Sequence, residues 1–247
     1  MRARGYAFTT LVFALAAAAP TATAQETCDG YFTRSQTMGP LLTKAYTAMS
    51  PTNLETMKTL LPELEAMLNA LPAKEIAPEV CGGNHINAYT PYQHAQLGFL
   101  RARNVDIGFP ANLPIVKQPE LNHSGVAYTT GWIKYELGDF AGALAAFDKG
   151  LAMFPHNPEL QNEKLATLLQ LKRYAEVTAY SEKVLADSYT LTDLNRAKVW
   201  QARAVAFMGA KDNKAADEAL TVAVRYADTE ETRALQKQLR DSMGTQN

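Results

Sequence analysis

An excess of charge of either sign is missing from this chain. Its 24 lysines and arginines face 25 aspartates and glutamates, a formal net charge of −1. A near-neutral chain lacks the electrostatic footprint for binding nucleic acid or an anionic lipid surface. Long apolar runs are missing too, apart from one near the N-terminus, and no stop-transfer run follows it. Cysteine is scarce: Cys28 and Cys81 stand far apart, with only His85 near Cys81 as a further metal donor, so no zinc ligand set is implied. Motifs of known chemistry are absent as well. There is no Gly-rich phosphate loop and no Gly-x-Ser-x-Gly elbow. His85, His94, His123 and His156 form neither His-x-x-x-His nor the zinc-protease motif. Glu63 and Glu65, if helical, point about 160° apart, which does not suit two carboxylates sharing one reaction. These absences argue against an enzyme, and they imply no cofactor and no metal.

What is present begins with a targeting segment. Arg2 and Arg4 give a short basic start, Tyr6 to Ala19 is apolar apart from Thr9 and Thr10, and Pro20 breaks the run. Ala22-Thr23-Ala24 then supplies the small residues that a signal peptidase reads. Residues 1–24 are therefore read as a signal peptide, with Gln25 the first mature residue. Ala3 separates the two arginines, so the signal is not of the twin-arginine kind. Gln25-Glu26-Thr27 before Cys28 does not resemble a lipoprotein box. The mature chain is expected in the periplasm or outside the cell, with no membrane insertion. Loss of two arginines leaves 22 basic residues against 25 acidic ones. In an oxidising compartment the two cysteines read as one disulfide. It would close a loop of about 54 residues and contribute about 4 kcal/mol in a chain-entropy account; two buried free thiols are the alternative. Asn122-His123-Ser124 is a glycosylation sequon, which matters only in a eukaryotic host.

Local signals divide the mature chain. Residues 29–38 are mixed and read as loop or extended, and Pro40 to Met49 reads as a helix. Ser50-Pro51 looks like a helix start. Leu54, Met57, Leu60, Leu61, Leu64, Met67 and Leu68 follow at helical spacing, with Pro62 expected to kink or split the helix. Residues 76–92 read as a loop and Tyr92 to Asn104 as a helix. We expect a helical N-terminal unit at 25–107, pinned by the disulfide, and a proline-rich linker at 108–123. From Ser124 the pattern becomes regular: helices at 126–137, 140–154, 159–171, 174–186, 193–208 and 213–226, separated by short turns. Asp228-Thr229-Glu230-Glu231 then opens a polar helix, so 228–247 reads as a capping helix and tail.

The regular part has a period. Phe140 and Tyr174, Ala143 and Val177, and Leu151 and Leu185 each lie 34 residues apart. Two helices in 34 residues is the period of the tetratricopeptide repeat, and residues 137–155 resemble that family. Gly138 matches its small turn residue, Phe140 the aromatic that opens its second helix, Ala143, Phe147 and Gly150 its packing positions, and Pro155 its closing proline. The next repeat keeps Tyr174, Val177 and Leu185, but Lys172 stands for the turn glycine and Ser181 for the aromatic. In the third, Asp212, Ala216, Leu220 and Ala223 match with extra residues inserted. The resemblance covers 124–227 and implies an all-α solenoid of helical hairpins (TPR-like), with a mostly helical N-terminal unit before it.

It also implies a function, since members of this family commonly hold peptides in a concave groove. Tyr128, Trp132 and Tyr135 share one side of the first repeat helix, and such residues are enriched at binding hot spots. They either line that groove or pack on residues 90–105. Asn162 and Ala166 lie one period after Tyr128 and Trp132. Arg196 and Arg203 are added from the third repeat, giving a groove with an aromatic end and a basic end that suits an acidic or carboxylate-bearing peptide. The expectation is an exported scaffold that captures a protein or peptide segment in cell-envelope assembly or secretion. The alternative is a soluble periplasmic carrier with a small-ligand pocket where the two units meet.

Overall fold

The computed structural model describes residues 28–119, 121–186 and 191–244. The signal segment at 1–24, the mature start at Gln25 and the end of the C-terminal tail lie outside them. Helix α1 spans Cys28–Met49 and α2 Leu54–Ala70. Strands β1 (Glu79–Cys81) and β2 (His85–Ala88), helix α3 (Pro91–Ala102) and strand β3 (Ile115–Lys117) follow. Three hairpins come next: α4 (Asn122–Glu136) with α5 (Phe140–Met153), α6 (Pro158–Gln170) with α7 (Tyr174–Ala186), and α8 (Asp193–Gly209) with α9 (Asn213–Tyr226). Helix α10 (Glu230–Gly244) closes the stack.

The C-terminal half agrees with the sequence reading to within a few residues. Asp139, Asn157, Thr192 and Asp212 cap their helices, each accepting a backbone N–H three residues on. Each hairpin turn needs one left-handed residue. Gly138 supplies it in the first (φ 83°), whereas Lys172 (55°) and Lys211 (63°) adopt it in the others. The turn is thus retained where the glycine is not.

The N-terminal half departs from expectation. Residues 29–38 are the first part of α1, because Ser35, Met38, Leu41, Leu42, Ala45 and Ala48 form one buried stripe at helical spacing. The start of α2 is set not by Ser50-Pro51 but by Asn53, whose Oδ1 accepts the Thr56 N–H at 3.0 Å. Pro62 neither splits nor ends α2; its ring is exposed while Met57, Leu64 and Leu68 hold the opposite face. The loop expected at 76–92 contains a β-hairpin turned at Gly82 and Gly83. Segment 108–123 is not a free crossing loop either. It contributes β3, which pairs parallel with β2, and the buried Leu121. Strands of three and four residues carry too little alternation to be read from sequence.

Packing order explains the architecture. Helices α1 and α2 pack on each other and both pack on α4. Helix α5 packs on α6 and α7 on α8, while the first helices touch in series: α1 on α4, α4 on α6, α6 on α8 and α8 on α10. The α1–α2 pair therefore occupies the place of a further hairpin ahead of α4–α5. The small sheet and α3 are an insertion between it and the next hairpin. One buried cluster joins Met38, Leu42, Met57 and Leu64 to Val126, Ile133, Phe147 and Leu160, so no gap between cores falls at residues 108–123. The insertion has its own core of Ile86, Leu97 and Leu113. It is tied to the stack by the Cys28–Cys81 disulfide, by Ile76 N–H donating to the Met153 carbonyl at 3.0 Å, and by Tyr92 stacked on His156.

Inside each hairpin one contact is conserved in volume rather than in identity. In α4–α5 the ring of Phe147 lies against Gly131, where a Cβ would sit 2.3 Å from it. One period on, Leu165 and Ser181 hold the corresponding places, and in the third hairpin Ala204 and Leu220 do so. All are buried. Each pair of positions combines one large residue with one small one, so the second hairpin looks degenerate only when positions are read singly. We expect Phe147→Ser to cost about 3–5 kcal/mol and Gly131→Leu to be destabilising by overpacking. The double variant should regain a substantial part of the loss in urea unfolding, and additive losses would show that the two positions do not share one space.

Candidate functional site

The series of first helices α1, α4, α6 and α8 presents one continuous face. Polar side chains join its members. Asn122 Nδ2 donates to the Ser35 carbonyl at 2.7 Å, joining α4 to α1. Asn162 Nδ2 donates to Asn195 Oδ1 at 3.2 Å, joining α6 to α8. Gln201 Nε2 donates to Thr232 Oγ1 at 2.6 Å, joining α8 to α10. The sequon asparagine is thus engaged at a helix junction.

A hollow of about 290 Å³ opens on this face where α1, α4 and α6 meet, lined by Tyr46, Leu121, Asn122, Tyr128, Asn157 and Glu159 among others. Tyr46 is 45% exposed and Tyr128 is half-buried. The Tyr128 hydroxyl donates to the Glu163 carboxylate, and its pKa is pushed up to about 12 by burial, with the charge of Glu163 adding to it. Glu163 is itself held above the usual carboxylate range by burial and by Glu136, against the opposing pull of Lys198.

The expected residues divide. Tyr128 and Asn162 belong to the face, through the hollow and through Asn195. Trp132 is half-buried and packs on the first core cluster, and Ala166 is half-buried on α6. Tyr135 also packs on that cluster, edge-on to Phe140 of its own hairpin turn at 5.1 Å. Helix α4 is packed by α1 and α2, whereas α3, from residues 90–105, packs on β2 and β3. Arg203 turns towards α7: its Nη1 donates to the Thr178 carbonyl at 3.2 Å and lies 3.4 Å from Ser181 Oγ, in the place an aromatic takes in the first hairpin. The Arg196 guanidinium lies over the Tyr226 ring of α9. Neither arginine lines the hollow.

Sequence reasoning missed Tyr46, Glu136, Glu159, Glu163, Asn195 and Lys198. Glu163 was within reach, one residue after Asn162 on the same helix. Tyr46 was not, because the insertion separates α1 from the periodic part and hides its register. The histidines give no ligand set: among the described residues the only three metal donors that converge are Cys28, Glu79 and Cys81. Both sulfurs there are held in the disulfide.

Successive antiparallel hairpins, each first helix packed on the next, with a left-handed residue in every turn, fix the architecture. The fold is TPR-like. No family model matches the TPR-like chain, and no curated protein does. Solved structures that are similar include the first TPR domain of human RPAP3, at 15% identity over 50% of this chain and 94% of that one, TM-score 0.44. The first TPR of Spaghetti (RPAP3), solved with the HSP90 peptide SRMEEVD, is 16% identical over 49% and 93%, TM-score 0.43. The MamA RS-1 ArsTM double mutant is 16% identical over 87% and 97%, TM-score 0.44.

Beside the TPR-like face lies one buried titratable group. His123, next to the hollow's Asn122, is fully buried with no hydrogen-bond partner at either ring nitrogen. Burial, with Arg34 adding to it, pushes it down from 6.5 to about 4. The unfolded chain thus binds more protons between these values, so stability should fall as pH drops from about 6.5 to about 4 and level off below, by about 3 kcal/mol at most. Urea unfolding across this range should show that slope, and His123→Phe should remove most of it.

Proposed function

We propose that this chain is an exported binding protein, not an enzyme, that holds a protein or peptide segment on the face formed by α1, α4, α6 and α8. The observation that carries the reading is the hollow at the junction of three of those helices. It offers tyrosine rings beside hydrogen-bonding groups, Asn157, Glu159 and, one turn on, Asn162 and Glu163. Tyrosine and tryptophan present large rigid area at small entropic cost, which makes such a surface suited to a peptide. Side chains reaching from helix to helix hold that surface in shape before a partner arrives, which lowers the cost of binding.

The export reading rests on the N-terminal sequence and on the disulfide, a bond that persists in oxidising compartments. No described helix is long and apolar enough to cross a membrane. Envelope assembly or secretion is the setting we propose. A small-ligand carrier is the second reading, favoured by one observation: the hollow opens where α1 meets α4 and α6. Its volume of about 290 Å³ lies at the lower end of the range for small-molecule sites.

Immobilised residues 25–247 should retain a specific protein from an envelope extract, and a folded Tyr128→Ala/Trp132→Ala variant should lose it. Equal retention would place the interface elsewhere. A small molecule found by native mass spectrometry, with no protein retained, would favour the carrier. Expressed with its leader, the protein should be recovered outside the cytoplasm starting at Gln25; an intact N-terminus would overturn cleavage after Ala24.

A further inference from the structure

The hollow is acidic on its α6 side, whereas the sequence suggested a groove with a basic end. Helix α4 has one lysine or arginine, and so does α6. Both are turned away from the hollow. Lys134 pairs with Glu65 of α2 at 2.6 Å and with Asp139 at 3.1 Å. Lys164 pairs with Asp148 of α5 at 2.6 Å and lies over the Tyr180 ring. The carboxylates are placed differently. Glu159 lines the hollow, Glu163 meets the Tyr128 hydroxyl, and Glu136 acts on Glu163. Lys198 of α8 opposes Glu163. The amides at the start of α6 do not call for an anion, since Asn157 Oδ1 already accepts the Leu160 N–H at 3.0 Å.

Two aromatic side chains and adjacent carboxylates around a small hollow are the features that recognise an organic cation. The ring faces attract it through their quadrupoles, and the carboxylates accept its N–H groups in charge-assisted hydrogen bonds. An anionic side chain would meet Glu159 and Glu163 with no cation from α4 or α6 to offset them. We infer that the partner segment is basic, and that a lysine or arginine side chain enters the hollow between Tyr46 and Tyr128, where Glu159 and Glu163 meet its charge. This rests on the proposal that the α1–α4–α6–α8 face binds a peptide.

The test uses three fluorescein-labelled twelve-residue peptides, alternating alanine with lysine, serine or glutamate. They are titrated against residues 25–247 at about 150 mM salt, where long-range attraction is screened. The lysine peptide should bind at least about tenfold more tightly than the other two. The Glu159→Gln/Glu163→Gln variant, shown by circular dichroism to be folded, should lose that preference. Glu218→Gln, an exposed carboxylate on α9, should keep it. Equal weakening by Glu218→Gln would overturn the inference, since attraction would then be diffuse. Tighter or equal binding of the serine or glutamate peptide would also overturn it. If that binding were lost in Tyr128→Ala/Trp132→Ala, the peptide-binding face would stand while its preference for cations fell. No binding by any of the three would overturn the basic partner, and the envelope-capture experiment decides separately whether the face binds protein at all.

Discussion

A pair of antiparallel helices covers one apolar face of each helix and leaves the other open to water. Each pair in this chain meets that cost by lending its open side to the next. Leu160 of α6 belongs to the core built by α1, α2, α4 and α5, while Leu144 of α5 belongs to the core of the following pair. Residues of α8 serve both the second and the third clusters. Cores overlap along the stack, so no pair is buried without its neighbours. At the far end α10 closes the series with Leu239 inside and a polar outer surface.

The same serial packing creates the face read here as functional. Because each first helix must lie on the next, side chains at recurring positions are brought beside one another whatever their chemistry. Tyr128 meets Glu163, Asn162 meets Asn195, and Gln201 meets Thr229 and Thr232. These contacts need only a side chain long enough to cross to the neighbouring helix. The face can therefore vary in charge while the stack beneath it stays constant. The acidic side of the hollow owes to where Lys134 and Lys164 are turned, a consequence of their partners on α2 and α5.

The insertion of β1, β2, α3 and β3 is held by a different set of forces. Its cluster around Ile86, Leu97 and Leu113 is small, and a domain of that size is marginal alone. The disulfide, the Tyr89 side chain buried beside Tyr31 and Phe32, and Ile76 N–H donating to the Met153 carbonyl at 3.0 Å fasten it to the stack. This arrangement allows the chain to leave the series after α2 and rejoin it at α4 without leaving an apolar face uncovered.

The sequence alone determined the helices from Val126 onward, their turns and their period, because caps, turn residues and apolar spacing are local properties read within a few residues. It also carried the pairing of Cys28 with Cys81, since only two cysteines exist to pair. Tertiary structure decided what depends on distant partners. It made residues 29–38 helical by giving their apolar stripe something to bury against, and it paired short strands separated by α3. It placed α1 and α2 as the first hairpin of the series, which no period reveals across an inserted segment. It also turned Arg196 and Arg203 onto α9 and α7 and brought Tyr46 beside Tyr128. A helix has sides by its own geometry, but which side becomes a surface is settled only when its neighbours arrive.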